Sequence, residues 1–313
     1  MVDPREHHDL QIVDKEHGIP YSKGLMAQSL MATGLPPERS YHIARQIEQH
    51  LIESDESSIT LARLREIAQQ SLGEEEGQKF TERYRRWRQL GELEKPIIIL
   101  IGGATGVGKS TLATQIAHRL GITRLTSSDL IRQVMRAFFS AELMPAIHYS
   151  SFDAGRVIKA PELKGPDRDI AGYVEQVEKV CVGVNAIIKR AINEGTPMIV
   201  EGAHLVPGFL KEDLWDRAVV IQMVLAVNDL ERHQGHFFVR DKETGGVRSL
   251  EKYVSSMNKI RRVQDYLIRA AQQEKVPVID NANMDDAVKT VMGIVLDTVD
   301  RYRKASNPKI EVS

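Results

Sequence analysis

The chain has 313 residues, 42% of them apolar and 27% charged, which is enough for a sizeable core in one or two domains. Lys plus Arg number 42 against 43 for Asp plus Glu, a formal net charge of −1, and this balance argues against a generic nucleic-acid coat or an anionic membrane as the main partner. Residues 1–10 lack the basic start and apolar core of a signal peptide, and no apolar run approaches the roughly 20 residues of a membrane helix; a cytoplasmic location is the expectation.

The first ninety residues read as a small domain. Leu10 to Val13 alternates, meets a turn-prone run over 14–18 and resumes at Ile19 to Tyr21, the pattern of a β-hairpin. Ser22 can cap a helix reaching about Thr33, where Gly34 stops it. Pro36 and Pro37 open a second helix carrying Ile43, Ile47 and Leu51. Thr60 caps a third with Leu61, Leu64 and Ile67, and a fourth over 74–88 turns Phe80, Tyr84 and Trp87 inward. With Gly18-Ile-Pro-Tyr-Ser-Lys23 at the junction and Leu30 to Leu35 after it, this layout resembles the ATP-cone domain over residues 10–72. The resemblance implies a regulatory nucleotide near Val13, Lys15 and Lys23. The alternative is a helical cap that packs on the rest of the chain or pairs two copies into a homo-oligomer, with both lysines solvated.

Ile97 to Ile101 reads as a buried parallel strand. Gly103, Ala104, Thr105, Gly106, Val107, Gly108, Lys109 and Ser110 follow at once and fit the phosphate-loop pattern G-x-x-x-x-G-K-[ST]. Thr111 and a helix with Leu112, Ile116 and Leu120 come next, stopped by Gly121. In that order the glycines let backbone N–H groups point at a polyphosphate, and the helix N-terminus adds partial positive charge. Lys109 is then placed to reach the β- and γ-phosphates of ATP, and Ser110 to put a hydroxyl on Mg²⁺.

Downstream, charged residues recur where strands end. Asp129 follows the short β-rich segment Ile122 to Thr126 and is expected at the N-cap of a helix starting near Leu130, with Arg132 and Arg136 on its outer side. Ligands of open α/β sheets bind at that edge, so Asp129 is a candidate to orient or deprotonate an acceptor hydroxyl, with simple capping as the alternative. The irregular stretch 141–165, holding His148, Arg156 and Lys159, suits a loop over the substrate. A long helix over 169–193 follows; its Cys181, the single cysteine, sits among valines as a small core residue. Thr196 to Val200 is a third strand, and Glu201 stands directly after it, where phosphate-loop proteins hold Mg²⁺ or its waters. His204 is either functional or a polar loop residue.

A fourth strand covers Ala218 to Val227. Arg232, His233, His236 and Arg240, followed by Gly245, Gly246 and Arg248, suggest a mobile lid whose Arg232 and Arg240 neutralise a transferring phosphoryl group. One helix over 250–273, a fifth strand from Val276 to Ile279, Asn281 near the adenine, a last helix over 285–302 and a loose tail from Lys304 complete the chain.

Strands alternating with helices imply an α/β fold: a P-loop kinase with a parallel five-stranded sheet covered by helices on both faces (residues 91–303), after the mainly helical N-terminal domain (1–90) and before a tail (304–313). No Asn-Lys-x-Asp motif, Asp-Glu strand end or Leu-Ser-Gly-Gly-Gln signature follows the loop, which sets aside GTPases, AAA-type ATPases and transporter ATPases. The layout is similar to that of nucleoside-monophosphate, shikimate and adenylylsulfate kinases. More specifically, GGATGVGKST, SSDLIRQVMR, HYSSFDAG, IVEGAHLVPG, HFFVR and RRVQDYL before VPVIDN resemble the 2-phosphoglycerate kinase family from about Leu10 to Val299. That resemblance implies ATP-dependent phosphorylation of the free hydroxyl of 2-phosphoglycerate, giving 2,3-bisphosphoglycerate. Such an acceptor carries about three negative charges near neutral pH. Arg132, Arg136, His148, Arg156 and Lys159 lie where it would be held, and arginine pairs bidentately with carboxylate and phosphate. Asp129 or Glu201 would orient the hydroxyl. Two alternatives stand beside this reading. One is a kinase of another phosphorylated small molecule or of a 5′-hydroxyl polynucleotide end, the latter disfavoured by the charge balance. The other is a non-catalytic nucleotide sensor.

Overall fold

A computed structural model describes residues 11–14, 17–20, 23–32, 35–53, 93–159, 165–210, 212–243 and 250–306, with scattered positions between 66 and 86. Lys15, Ser22, Thr60 with Leu61 and Leu64 of the expected third helix, the inward face of the fourth (Phe80, Tyr84, Trp87), and Gly245, Gly246 and Arg248 lie outside the described residues. The chain divides into two compact units, one of Glu94–Ala117 and Ile122–Thr298, the other of Met1–Leu93 with His118–Gly121 and Val299–Ser313.

The larger unit is built on a five-stranded parallel sheet. Its strands are β3 (Ile97–Gly102), β4 (Arg124–Ser127), β5 (Met198–Gly202), β6 (Val219–Ala226) and β7 (Val278–Asp280), in the spatial order β4-β5-β3-β6-β7. The central strand is apolar because it is covered on both faces: every residue of β3 is buried, as is every residue of β5. The edge strand β4 is only half-buried throughout. Register aligns the carboxyl ends. Gly102 pairs with Gly202 and Val224, and Ser127 with Glu201, so the segments after β3, β4 and β5 emerge side by side.

Helices follow the strands, with boundaries that differ from the sequence pattern for local reasons. Among them are α3 (Lys109–Leu120), α4 (Ser128–Phe138), α5 (Pro166–Asn193) and α6 (Leu230–Glu243). The cap of α4 is Ser127, whose hydroxyl accepts from the Leu130 N–H at 3.1 Å. Asp129 is therefore not the cap: it sits in the first turn, where a carboxylate suits the helix dipole. The segment read as a mobile lid begins as an ordinary helix, α6. Asp229 caps it by accepting from the Arg232 N–H at 2.7 Å, and His233 and Phe237, four apart, are buried on one face. The single helix expected over 250–273 is two, α7 (Leu250–Ser255) and α8 (Met257–Gln273), separated at Ser256. The last helix, α9 (Met284–Ser306), runs past the expected end at Tyr302, so Lys304 is helical rather than part of a loose tail. The loop over 141–165 carries two 3-10 turns, Pro145–His148 and Ala154–Val157.

In the smaller unit, β1 (Gln11–Asp14) and β2 (His17–Pro20) form the expected antiparallel hairpin, with Ile12 opposite Ile19. Then come α1 (Lys23–Ala32) and α2 (Pro37–Glu53). Met26, Leu30, Ile43, Ile47, Leu51 and Ile67 form their shared core.

Candidate active site

The phosphate loop is held by its carbonyls. Lys109 Nζ donates to the Ala104 carbonyl at 2.8 Å, His233 Nε2 to Thr105 at 2.9 Å, His236 Nδ1 to Gly106 at 2.9 Å, and Asn281 Nδ2 to Val107 at 2.9 Å. Four consecutive carbonyls thus find side-chain donors. Each peptide unit so engaged presents its carbonyl to protein, leaving the N–H side available to an anion. Because a carbonyl only accepts, each imidazole nitrogen facing one must carry its proton. Burial pushes His233 down to about 4, so it is neutral near pH 7 and serves as a fixed donor. Gly106 has φ +85 and lies against Phe237, whose ring carbon Cζ would be 2.2 Å from any Cβ at that position; only glycine fits there. The Lys109 ammonium is lowered from its ordinary value by burial, against the opposing pull of Glu201 and Asp129.

The two carboxylates that sequence could not tell apart have different neighbours. Ser110 donates its hydroxyl to Glu201 Oε1 at 2.9 Å, which puts Glu201 on the nucleotide side of the edge. Asp129 faces Arg132, with Oδ1 3.2 Å from Nε and 3.1 Å from Nη2. Burial works against ionisation of the Asp129 carboxyl, but Arg132, which also hydrogen-bonds it, and Lys109 outweigh it, and its pKa is held below the ordinary value. Ser110 and Glu201 supply hard oxygen donors of the kind Mg²⁺ takes. Among the described residues no cluster of His, Cys, Asp or Glu would cage a metal unaided. A nucleotide-borne Mg²⁺ needs no such cage, since it keeps waters and phosphate oxygens as ligands.

Arg132, which holds Asp129, also lines a cavity of about 310 Å³, together with Arg136, His148, Tyr149, Ser150, Asp153, Arg156 and Lys252. Sequence placed Arg132, Arg136, His148 and Arg156 together at an acceptor, and they meet here; Lys159, exposed, is not among the lining residues. The four basic residues do different things. Arg132 Nη1 donates to the Ile147 and Tyr149 carbonyls, both at 3.0 Å, while its other edge faces Asp129; it is mainly a brace for the loop and the carboxylate. His148 Nε2 donates to the Phe139 carbonyl at 2.9 Å. Arg136, by contrast, donates Nη1 to Gln133 at 3.0 Å and keeps a buried Nε–H with no partner among the described residues, the kind of orphan donor that an anion would satisfy. Arg156 is exposed and 3.5 Å from Asp153, whose Oδ1 also accepts from Lys259 Nζ at 3.1 Å.

A buried polar chain ties this loop to the sheet. Gln176 Nε2 donates to the Ala146 carbonyl at 2.5 Å and the Tyr149 carbonyl at 3.0 Å. Its Oε1 therefore accepts from His204 Nε2, 3.0 Å away, and His204 Nδ1 accepts from the Ser128 hydroxyl at 2.8 Å. All three side chains are fully buried, and burial pushes His204 down to about 4. Gly202, at φ +152, leaves room for Ser128 Oγ, which would be 1.8 Å from a Cβ there. Nearby, Cys181 Sγ donates to the His204 carbonyl at 3.3 Å, and burial pushes its thiol up to about 12, so it behaves as the core residue expected.

Two further residues lie away from their expected places. Arg232 Nη1 donates to the Ala282 carbonyl at 2.7 Å, next to Asn281, rather than standing free over the phosphates. Asn281 braces the loop at Val107, with Oδ1 unpartnered among the described residues. Arg240 belongs to α6, but its side chain lies outside the described residues. In the smaller unit Lys23 pairs with Glu48 at 3.0 Å, and Val13 lies in β1. Sequence reasoning missed Lys252, Asp153 and Lys259. The first sits in a helical charge pattern that looks solvated, and the other two gain meaning only when α8 meets the loop.

A five-stranded parallel sheet with a G-x-x-x-x-G-K-S loop after its central strand, together with a cationic cavity in the same unit, defines a P-loop kinase of small molecules. No protein-family model matches the chain. It is 39% identical over 285 residues to the 2-phosphoglycerate kinase of Methanothermobacter thermautotrophicus, covering 91% of this chain and 92% of that protein. It is 36% identical over 290 residues to the enzyme of that name from Methanopyrus kandleri (93% and 88%) and 38% over 283 to that from Thermococcus kodakarensis (90% and 95%). The chain belongs to the 2-phosphoglycerate kinase family. Among solved structures, a gluconokinase from Sinorhizobium meliloti aligns over 69% of this chain and all of its own, at 14% identity and a TM-score of 0.39. No helix among the described residues is long and apolar enough to cross a membrane.

Proposed function

We propose that the protein transfers the γ-phosphoryl group of ATP to the free hydroxyl of 2-phosphoglycerate, giving 2,3-bisphosphoglycerate and ADP. The observation that carries this reading is the cationic cavity that shares Arg132 with Asp129: it matches a small acceptor bearing carboxylate and phosphate, and family membership names such an acceptor. The loop N–H groups and Lys109 hold the transferring phosphates. Ser110 and Glu201 would hold Mg²⁺, which supplies charge neutralisation at the β- and γ-oxygens. Arg136 and Arg156 bind the acceptor's anionic groups, and Arg132 fixes Asp129. The acceptor oxygen bonds to the γ-phosphorus as the bond to the bridging oxygen breaks. Asp129 accepts a hydrogen bond from the reacting hydroxyl, takes its proton late, and passes it to solvent. Its lowered pKa suits this role, because a loose transition state needs orientation more than a strong base. Arg232 and Arg240 are assigned to the nucleotide side, with Asn281 holding the loop beneath it.

The smaller unit is proposed as a nucleotide-responsive module on the strength of its hairpin-and-helix order, with Val13, Lys15 and Lys23 as the positions to test. The Lys23–Glu48 pair means that a nucleotide there would have to displace a carboxylate.

Calorimetric titration of 2-phosphoglycerate into the wild type and Arg156→Ala tests the acceptor assignment. Binding weakened about tenfold, the equivalent of one charge-assisted hydrogen bond, is expected; unchanged binding would move the acceptor elsewhere.

A further inference from the structure

The phosphate loop and the acceptor cavity are joined by a run of packed rings. His233, which holds the Thr105 carbonyl, stacks on Phe237 with centroids 5.7 Å apart and planes 18° apart. Phe237 fills the space over Gly106 and stacks on Tyr253 at 4.8 Å and 11°. Tyr253 meets Phe152 edge-on at 6.1 Å and 63°. Phe152 is buried and immediately precedes Asp153, which lines the cavity with Arg156 and pairs with it and with Lys259.

Tyr253 comes from a short helix between α6 and α8. Helix α7 is six residues long and has no buried residue. Its neighbouring Lys252 lines the acceptor cavity, and that ammonium has no hydrogen-bond or ion-pair partner among the described residues. The rings therefore set where this cation stands. They also abut a loop position with no slack, since Gly106 touches Phe237 directly. Close-packed rings pass on a displacement because they have few other arrangements.

We propose that Lys252 is an acceptor ligand and that Tyr253 is a positioning residue, which ties acceptor affinity to occupancy of the phosphate loop by holding Lys252 in the cavity. The proposal rests on the assignment of that cavity to the acceptor. By linkage the effect is reciprocal: nucleotide tightens acceptor binding as much as acceptor tightens nucleotide binding.

The test is calorimetric titration of 2-phosphoglycerate with and without Mg²⁺ and a non-hydrolysable ATP analogue. The full-length wild type, Lys252→Ala, Tyr253→Ala, Tyr253→Phe and Arg156→Ala are compared, with analogue affinity and melting temperature measured alongside. In the wild type the analogue is expected to tighten acceptor binding about fivefold or more, the usual lower end of such couplings. Tyr253→Ala should lose that enhancement while binding the analogue normally, and Tyr253→Phe, which keeps the ring, should retain it. Lys252→Ala, which removes the group the stack holds, should lose the enhancement too and weaken acceptor binding about tenfold with the analogue bound. Three results would overturn the proposal: full enhancement in Tyr253→Ala, equal loss in Tyr253→Phe, or loss confined to variants whose analogue affinity and melting temperature fall together. If Arg156→Ala weakens acceptor binding while the Lys252 and Tyr253 variants behave as wild type, this proposal alone fails. If Arg156→Ala has no effect either, the cavity assignment fails with it.

Discussion

Around the phosphate loop the donors left for an anion are backbone N–H groups and Lys109, which rests on the Ala104 carbonyl, while three other side chains brace carbonyls: His233 on Thr105, His236 on Gly106 and Asn281 on Val107. At the acceptor cavity the material is reversed. There side chains from α4, the 3-10 turns and α7 supply the charge, and carbonyls at Ile147 and Tyr149 serve as anchor points for Arg132. The difference follows from what each must recognise. A polyphosphate needs a dense row of donors with no shape discrimination, and consecutive backbone amides provide that. A small acceptor must be told from its isomers, which takes separate side chains set at fixed positions.

Substitutions should expose this contrast. The largest effect is expected for Lys109→Ala, about 10³-fold in kcat, at the upper end of what one preorganised charge-stabilising group contributes; a single-turnover assay at saturating acceptor would measure it. Next comes the buried chain that joins the two regions. An unfolded histidine takes its proton near pH 6.5, whereas His204 in the fold takes one only near 4. Between those values the unfolded chain binds more protons, so stability must rise with pH across the window, by up to about 3 kcal/mol from this residue. His233 adds a contribution of the same sign. Urea unfolding from pH 4 to 7 should show that slope, and His204→Gln should flatten it whatever its absolute stability; an unchanged slope would remove His204 as its source.

Asp129→Asn should lower kcat about 10²-fold, the low end for a positioned acid or base, with ATP affinity preserved. Because neighbouring positive charges hold the Asp129 pKa below its ordinary value, the acid limb of the wild-type kcat profile from this group should fall below about pH 4. A limb at pH 6 would point to a different base. The smallest effect is expected for Arg156→Ala: about tenfold in acceptor KM with ATP KM and kcat near wild type. That split separates the side-chain site from the backbone site. An equal loss in both KM values would erase the distinction.

The same contrast explains what the sequence made legible. The phosphate loop is local, so strand, glycines, lysine and helix appear within the sixteen residues 96–111, and Asp129 and Glu201 are marked by the strand ends at which they stand. The buried strands are readable because burial on both faces leaves continuous apolar runs. The braces are not local. His233 and Asn281 reach the loop across 128 and 174 residues, and nothing near them in sequence reveals the carbonyl each holds, so one looked like part of a lid and the other like an adenine contact. Arg132 and Arg136 look alike in sequence, yet one is enclosed by carbonyls and a carboxylate while the other keeps an unpaired donor. Lys252 gains a role only through the Tyr253 stack, which depends on α6, α7 and the acceptor loop meeting in space.

The measurement closest to the core of this picture is phosphorus NMR of the product formed from ATP, Mg²⁺ and 2-phosphoglycerate, with 3-phosphoglycerate and Lys109→Ala as controls. One 2,3-bisphosphoglycerate per ADP, formed from 2-phosphoglycerate and absent in both controls, is the expected result. ATP bound tightly but no phosphoryl group on 2-phosphoglycerate would contradict the assignment of the cavity to this acceptor while leaving the phosphate loop intact.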